Sequence, residues 1–372
     1  MTRPRTADAP LLLMTPGPTR VPERVLRAGA RPMIHHRTPE FSRELDEMLR
    51  LLGPVFGTMG VVLPVHTTGR GAMEAAICNL FSAGDEIAVC CNGKFGEMWA
   101  GFAAAYGLKV HRISTDWTDD VHIADVDECL SANPAVRAVA LTYGDTSTGV
   151  RNNIEAVCRV ALTRDALVLV DGVSTLGGMP FHFDEWGVDF AVTASQKCLM
   201  SSPGLSFVAV SERAWAAAAV ARLPRNYWDF AEIRKEVTKP KPETPGTPPV
   251  HIVLQVAEAL RAMHEEGLPA VFQRHEEMAQ RTRRGVAELG LSLQCPSLPQ
   301  LAATLTAIAL PEGTSPGLVR DAIKARGILT AAGLAGFASS AMRIGHMGDI
   351  RLADVDLTLA ALGEALAEVR AG

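Results

Sequence analysis

The sequence has few of the features that mark disulfide-bonded or membrane-spanning proteins. Its 372 residues include seven cysteines, an odd number, and no C-x-x-C pair occurs among them. A disulfide framework or a thiolate zinc site is therefore not expected, no metal ligands are predicted, and a reducing, cytoplasmic location is favoured. The longest apolar runs, such as Ala166–Val170, fall far short of a membrane span.

The sequence also lacks a strong excess of one charge. Its 36 basic and 41 acidic residues are interspersed and give a net charge of −5, so the basic surface that nucleic-acid binding requires is not expected. The apolar stretch within MTRPRTADAPLLLMTPGP is too short for the core of a signal peptide. We expect a globular protein that binds neither nucleic acid nor membrane.

Short apolar runs predict strands that are buried on both faces of a sheet. They lie at Ala138–Thr142, Leu167–Val170, Phe190–Thr193 and Ser206–Val210. Such runs do not alternate between apolar and polar residues, which is typical of parallel sheets. Helical patterns lie between them, for example at Gly71–Phe81 and Asn153–Thr163. The sequence thus predicts an α/β fold with a three-layer α/β/α large domain and a mainly parallel sheet.

The length of the chain favours two domains, because single cores seldom grow this large. Residues 1–266 are predicted to form the large domain, with an N-terminal arm over 1–25. Residues 267–372 are predicted to form a smaller α+β domain with one strand-like run at Ala302–Ala309. A long apolar helix from about Val250 to Met263 is expected to join the two.

Two predicted strands end in polar residues, in VLVDGVSTLGG (168–178) and FAVTASQK (190–197). Ligands bind beyond the carboxyl ends of parallel strands, so Asp171 and Lys197 should emerge at the same edge of the sheet. A lysine that forms a Schiff base and a carboxylate that pairs with a ring nitrogen suit pyridoxal phosphate (PLP). A salt bridge between two ordinary strand-end residues explains the pattern equally well.

Three further motifs have both a functional and a structural interpretation. In HTTGRGAMEAA (66–76) a turn before a helix could bind phosphate, or Thr68 could cap the helix. In NGKFG (92–96) Phe95 could stack on a planar ring or fill the core. In SSAMRIGHMG (339–348) Arg343 could bind a substrate carboxylate or an internal acid.

Taken together, these motifs resemble the class V aminotransferases of PLP fold type I, in particular the alanine–glyoxylate, serine–glyoxylate and serine–pyruvate group. The resemblance covers almost the whole chain and also includes TPGPTRVPERVL, HRTPEF, YGDTSTGV and TPGTPPV. It implies a transaminase that moves an amino group from a small amino acid, similar to alanine or serine, to glyoxylate or pyruvate by a ping-pong mechanism. It also implies a homodimer with shared active sites.

The resemblance implies a role for each matching residue. Lys197 would carry PLP and act as the base and acid of the proton shift, while Asp171 would hold the ring nitrogen. Phe95 and Val173 would pack on opposite faces of the ring. The phosphate would be bound by Thr68, Gly69, Arg70 and Gln196, and by Thr244 and Thr247 of the neighbouring subunit. Substrate contacts would come from Gly17, His36, Ser147 and Arg343, with Ser147 also near the cofactor.

The sequence departs from the family pattern at three positions. Phe95 stands where tryptophan is usual, Thr244 where tyrosine is common, and His35 where glycine often precedes the His-Arg pair. Parts of the chain resemble ureidoglycine–glyoxylate and pyridoxamine–pyruvate aminotransferases equally well. The amino donor is therefore left open.

Two rival functions depend on other features. A cysteine desulfurase or PLP lyase would need a nucleophilic cysteine on a mobile loop, and no cysteine follows Cys295. A dehydrogenase would need G-x-G-x-x-G after the first strand, whereas HTTGRGAM has only G-x-G. A cofactor-free binding protein remains an alternative if Lys197 carries nothing.

Overall fold

The computed structural model describes residues 10–371. Thirteen helices and thirteen strands lie in this part of the chain, together with one short 3₁₀ turn at Ala335–Phe337. The strands are β1 (Leu12–Leu13), β2 (Val62–Val65), β3 (Glu86–Cys90), β4 (Lys109–Ile113), β5 (Val136–Thr142), β6 (Leu167–Asp171), β7 (Phe190–Ala194), β8 (Ser206–Val210), β9 (Ser292–Leu293), β10 (Leu305–Ala309), β11 (Ile328–Leu329), β12 (Ala331–Ala332) and β13 (Ala341–Gly345). The helices are α1 (Glu23–Gly29), α2 (Pro39–Phe56), α3 (Gly69–Leu80), α4 (Lys94–Ala105), α5 (Ile123–Ala132), α6 (Ile154–Thr163), α7 (Phe183–Trp186), α8 (Glu212–Val220), α9 (Phe230–Val237), α10 (Val250–Glu266), α11 (Leu268–Glu288), α12 (Pro316–Ala325) and α13 (Leu352–Ala371).

The central sheet has seven strands in the order β2-β8-β7-β6-β5-β3-β4. Pairs from β4 to β7 are parallel, as the sequence predicts. Strand β8 pairs antiparallel with both β7 and β2, so the sheet is mainly but not wholly parallel, as predicted. The connection from β7 to β8 contains no helix, and a parallel return would need such a crossover.

Helices cover both faces of this sheet, which gives the predicted three layers. Successive residues of β6 enter different cores: Val168 and Val170 pack in the core that contains Phe41, and Leu169 packs in the one that contains Trp99. Burial on both faces explains why the strands are continuous apolar runs. Pro64 lies in β2, which is an edge strand and tolerates a residue without an N–H donor.

The C-terminal part of the chain contains a four-stranded antiparallel sheet in the order β12-β13-β10-β9, with α11, α12 and α13 packed nearby. Strand β1 of the N-terminal arm pairs with β11, and Met14 lies in the same core as Ile344. The arm therefore bridges the two parts. The domain limits at residues 266 and 267 stay a prediction, although Gly267 does separate α10 from α11.

None of the helices described over 10–371 is both long enough and apolar enough to cross a membrane.

Candidate active site

Asp171 and Lys197 lie at the same edge of the central sheet. Asp171 is the last residue of β6, and Lys197 follows the end of the neighbouring strand β7 by three residues. Asp171 is 3% exposed, and Lys197 is half-buried. The fold thus places both side chains at one edge of the sheet, as the strand pattern predicts.

The environment shifts the pKa of both groups toward neutrality. Burial raises the pKa of Asp171 to about 7, although the Val173 N–H donates to its Oδ1 at 2.9 Å. Burial lowers the pKa of Lys197 to about 8. Lys197 donates to the carbonyl of Pro16, and among the described residues neither side chain forms a salt bridge. The pair is close enough to interact electrostatically but is not held in the ion pair that an ordinary structural role would give.

The N-terminal arm closes over Lys197. A Cβ atom added at Gly17 would lie 2.5 Å from Cδ and 2.7 Å from Nζ of the lysine, and the φ of Gly17 is +102°. Only glycine fits there. Thr19 donates its hydroxyl to the carbonyl of Lys197 at 3.0 Å, so the arm also fixes the backbone at this position.

The turn before α3 lies against the residues that follow Asp171. A Cβ atom at Gly69 would lie 2.6 Å from Cγ2 of Val173, so the helix start packs closely beside the carboxylate. Thr68 precedes the helix, but its hydroxyl makes no capping hydrogen bond and its side chain is exposed. Arg70 is also exposed, with its guanidinium carbon 5.7 Å from the centre of the Phe102 ring. The hydroxyl and the charge therefore stay available at the helix N-terminus.

Phe95 and Ser147 are connected by a residue that the motif analysis missed. Asp145 is fully buried and accepts hydrogen bonds from the N–H of Phe95 at 3.1 Å and of Ser147 at 2.7 Å. The Ser147 hydroxyl also donates to Asp145 and accepts from the Lys94 N–H at 3.2 Å. Phe95 is half-buried and is not a member of the hydrophobic cores. Asp145 follows strand β5 as Asp171 ends β6, so the strand-end rule could have found it.

Arg343 is buried in β13 and points toward the large sheet. Its Nε donates to the Ala332 carbonyl at 2.8 Å, and one terminal nitrogen donates to the Thr146 carbonyl at 2.7 Å. No carboxylate within the described residues lies at ion-pair distance from it, so the internal acid of the alternative interpretation is not found there. Burial lowers its pKa to about 10. The remaining donors suit a ligand carboxylate.

Three predicted residues belong to a separate group. His36 is half-buried and stacks on His35 with ring centres 4.7 Å apart, and burial lowers its pKa. Arg37 next to it donates to Glu243 at 3.0 Å and to the Thr244 carbonyl at 2.9 Å. Thr244 is buried and donates its hydroxyl to the Gly246 carbonyl at 2.7 Å, whereas Thr247 is exposed. No hydrogen bond within residues 10–371 joins this group to Lys197.

Other features of the surface lie apart from these residues. A cavity of about 850 Å³ between α2 and the segment after α9 is lined by Met59, Val61 and Pro242 among others, and by no predicted site residue. Within the part of the chain described, one group of three potential metal ligands occurs, at Asp119, Asp120 and His122.

The residues at the sheet edge fit PLP. Asp171 has a carboxylate without a cationic partner at ion-pair distance, and Lys197 offers an amine of lowered pKa. The Oε1 atom of Gln196 is buried without a hydrogen-bond partner in the described chain, which leaves an acceptor for a ligand. A mainly parallel sheet with this lysine and carboxylate at its carboxyl edge defines the PLP enzymes of fold type I.

Comparison with known proteins identifies the family. The model of the aminotransferase class-V family matches residues 12–353. The chain is 40% identical to a protein named soluble hydrogenase small subunit from a Synechococcus species, over 96% of this chain and 93% of that one. It is 36% identical to L-aspartate–glyoxylate aminotransferase of Paracoccus denitrificans, over 96% and 93% of the two chains. It is 35% identical to serine–glyoxylate aminotransferase of Methylorubrum extorquens, over 91% and 86%.

Solved structures agree with these relatives. Ureidoglycine–glyoxylate aminotransferase of Bacillus subtilis superposes with a TM-score of 0.91 at 28% identity, over 99% of this chain and 96% of that one. Pyridoxamine–pyruvate aminotransferase of Mesorhizobium loti gives 0.93 at 28% identity, over 98% and 94%. The chain therefore belongs to the aminotransferase class-V family. It is a PLP-dependent transaminase, as the sequence motifs predict.

Proposed function

We propose that this transaminase moves an amino group from a small amino acid to glyoxylate or pyruvate by a ping-pong mechanism. The proposal depends on the arrangement of Lys197 and Asp171 at one sheet edge. In addition, Arg343 forms no ion pair with an acidic residue of the described chain. When bound, PLP supplies an electron-withdrawing ring that stabilises negative charge at the substrate Cα. Relatives that act on glyoxylate support the choice of acceptor.

Each residue has a distinct part in this proposal. Lys197 holds the cofactor and moves the proton at Cα, since a buried amine with a pKa of about 8 can both accept and donate near neutral pH. Asp171 would keep the ring nitrogen protonated, and Arg343 would bind the α-carboxylate. Thr68, Gly69, Arg70 and Gln196 would hold the phosphate, while Phe95 and Val173 would pack against the ring.

The remaining roles concern substrate and subunit contacts. Gly17, His36 and Ser147 contribute to the substrate side of the site, although the hydroxyl of Ser147 already has two partners in the chain. Thr244 and Thr247 would reach the phosphate of a second copy, so the proposed working form is a homodimer. The proposed location is the cytoplasm.

The amino donor separates this proposal from its nearest alternatives. Alanine, serine and aspartate are candidate donors, because relatives of this chain are named for them. Ureidoglycine and pyridoxamine are more specialised candidates, taken from the names of two similar structures. A panel of these donors with glyoxylate and pyruvate as acceptors would rank them by kcat/KM.

Desulfurase chemistry is not supported by the cysteine that it would need. Cys295 is buried, its Sγ lies 3.7 Å from the Thr148 carbonyl, and burial raises the pKa of its thiol to about 12. A nucleophilic cysteine requires an accessible thiol of low pKa. Two solved cysteine desulfurases are only 15–17% identical to this chain, and their likeness shows the fold alone.

Replacing Lys197 by alanine tests the proposal. Turnover of every donor should disappear, and the variant should no longer bind PLP in the covalent, borohydride-reducible form. Lys109→Ala is a matched control, because that exposed lysine pairs with Glu86 on β3 far along the sheet. Wild-type transamination by the Lys197 variant would contradict the assignment.

A further inference from the structure

The buried carboxylate of Asp145 has no part in the functions assigned above, although it lies between two of the residues that they use. Asp145 is 0% exposed and accepts three hydrogen bonds. One comes from Phe95 in the first turn of α4, and two come from Ser147 in the same loop as Asp145. A buried carboxylate is retained at such a position only when these partners compensate for its desolvation.

The fold leaves room for this carboxylate by using glycine opposite it. A Cβ atom at Gly93 would overlap the carboxyl group of Asp145. The φ of Gly93 is 174°, an extended conformation that any residue adopts. The glycine is therefore required by the close approach and not by the backbone. The two loops, fifty residues apart, are built around the carboxylate.

The same loop orients Arg343. The carbonyl of Thr146, between Asp145 and Ser147, accepts from the guanidinium at 2.7 Å. Asp145 interacts electrostatically with Arg343 but is not within ion-pair distance of it in the described chain. Burial raises the pKa of Asp145, whereas its hydrogen bonds from Ser147 and Phe95 and the charge of Arg343 act to lower it. In its ionised form the carboxylate favours the charged guanidinium without occupying the hydrogen-bond donors of Arg343. An acid in direct contact would instead compete with the substrate.

We propose that Asp145 is a positioning residue for substrate binding: it fixes the start of α4 at Phe95 and the loop that holds the Thr146 carbonyl, and its charge balances Arg343 while leaving that side chain free for a carboxylate. The inference rests on the proposed function, in which Arg343 binds the substrate. It assigns no contact between Asp145 and substrate.

Asp145→Asn tests the inference, because asparagine keeps the shape but removes the charge and one of the two acceptor oxygens. The KM for the amino donor should rise about tenfold or more, which is the scale of a lost charged hydrogen-bond partner, while kcat falls less. Covalently bound PLP, measured by absorbance, should be retained. The affinity for propionate, a carboxylate without an amino group, should fall in parallel, as measured by calorimetry.

The split between KM and kcat separates positioning from simple destabilisation. Loss of the charge near Arg343 weakens carboxylate binding, so it changes KM and the affinity for propionate. A merely structural defect would instead reduce the amount of active protein and lower the apparent kcat at an unchanged KM.

Asp189→Asn is the matched control. Asp189 is also buried and accepts from Val168 N–H at 3.0 Å and from the Ser211 hydroxyl at 2.6 Å, but it lies at the amino ends of the strands. This variant should lose stability without a change in KM. Gly93→Ala, which displaces the same carboxylate sterically, should reproduce the KM effect if Asp145→Asn does not fold.

The outcomes are distinct. Unchanged propionate affinity in Asp145→Asn, or equal KM changes in the two aspartate variants, would overturn the inference. A wild-type protein that transfers no amino group would instead contradict the proposed function, and the propionate measurement would still test Asp145.

Discussion

At the scale of single residues, burial prepares Lys197 for attachment to an aldehyde. Only the neutral amine is nucleophilic, and burial lowers the pKa of this lysine to about 8, against about 10.4 for a free side chain. The neutral fraction near physiological pH is thus far larger than for a surface lysine. The N-terminal arm at Gly17 contributes to this burial.

The rate at which the cofactor-free enzyme takes up PLP should therefore follow the titration of Lys197. We expect the rate to rise about tenfold per pH unit below pH 8 and to level off above it, because the neutral amine is then the major form. Stopped-flow absorbance measures the attachment. Nα-acetyl-lysine is the control, and its rate should continue to rise until about pH 10. A profile identical to that of the free lysine would contradict the shifted pKa.

The sequence could predict where these residues lie, but not all of their surroundings. Asp171 and Lys197 were located because strand ends of a parallel sheet meet at one edge. Asp145 obeys the same rule and was missed, since it sits within a polar run that gives no periodic signal. That Ser147 uses its hydroxyl internally depends on a loop from residues 93–95, which only the fold brings near.

At the scale of secondary-structure elements, two buried histidines lie at the sheet that carries Arg343: His275 joins helix α11 to the segment after β13, and His346 contacts strand β10. His275 on α11 donates from Nδ1 to the Val271 carbonyl at 2.7 Å, and its Nε2 accepts from the Gly348 N–H at 3.2 Å. His346, just after β13, bonds with the Thr306 hydroxyl at 2.9 Å. Burial lowers the pKa of His275 to about 4 and of His346 to about 3. Both rings are therefore neutral in the folded protein.

This predicts a loss of stability in mild acid. The unfolded histidines bind protons near pH 6.5 while the folded ones do not, so their contribution is complete above pH 6.5 and falls as the pH drops toward 4. The slope is about 1.4 kcal/mol per pH unit for each histidine. Carboxyl groups with raised pKa values, such as Asp171, act in the opposite direction. A variant is needed to isolate the histidine effect.

His275→Gln provides that variant, because glutamine can donate and accept but does not titrate. Urea unfolding at pH 7.5 and at pH 5 should show a smaller loss of stability for the variant than for the wild type. His122→Gln should have the opposite effect, because the hydrogen bond to Asp119 raises the pKa of this exposed histidine and so stabilises the folded protein in acid. Its loss of stability between pH 7.5 and pH 5 should therefore be no smaller than that of the wild type. Equal acid sensitivity of His275→Gln and the wild type would refute the prediction.

Long periodic elements were predictable, whereas orientation and very short strands were not. Helix α10 begins at the predicted Val250 and extends three residues beyond Met263, and the strand expected at Ala302–Ala309 is confirmed over β10. The antiparallel direction of β8 could not be predicted, because a run that is buried on both faces has the same apolar pattern in either direction. Two-residue strands such as β1 and β11 form by pairing across the chain, which local patterns do not record.

At the scale of the whole molecule, one chain leaves part of the proposed phosphate site open. Thr68 and Arg70 are exposed, and the nearby helix start has no capping hydrogen bond from Thr68. Thr247 is also exposed, on a segment that Arg37 holds through Glu243 and the Thr244 carbonyl. Thr244 already donates within its own turn, so Thr247 is the better of the two predicted phosphate contacts. In a symmetric dimer, Thr247 of each chain could face the exposed helix start at Thr68 and Arg70 of the other chain.

If Thr247 of one chain completes the site of the other, two defective variants should restore one site in a mixed dimer. In a dimer of Lys197→Ala with Thr247→Val, one site combines both changes, while the other combines an intact Lys197 with an intact Thr247. At PLP concentrations at which Thr247→Val alone loses its cofactor, the mixture should recover up to half of the wild-type activity and bound PLP per mixed dimer. Tagged co-expression and absorbance measure this recovery.

Mixing Lys197→Ala with Lys197→Ala carrying a second tag gives no intact site and should stay inactive. If the mixed dimer retained no more cofactor than Thr247→Val alone, Thr247 would act within its own chain or not at all, and the shared site would be wrong.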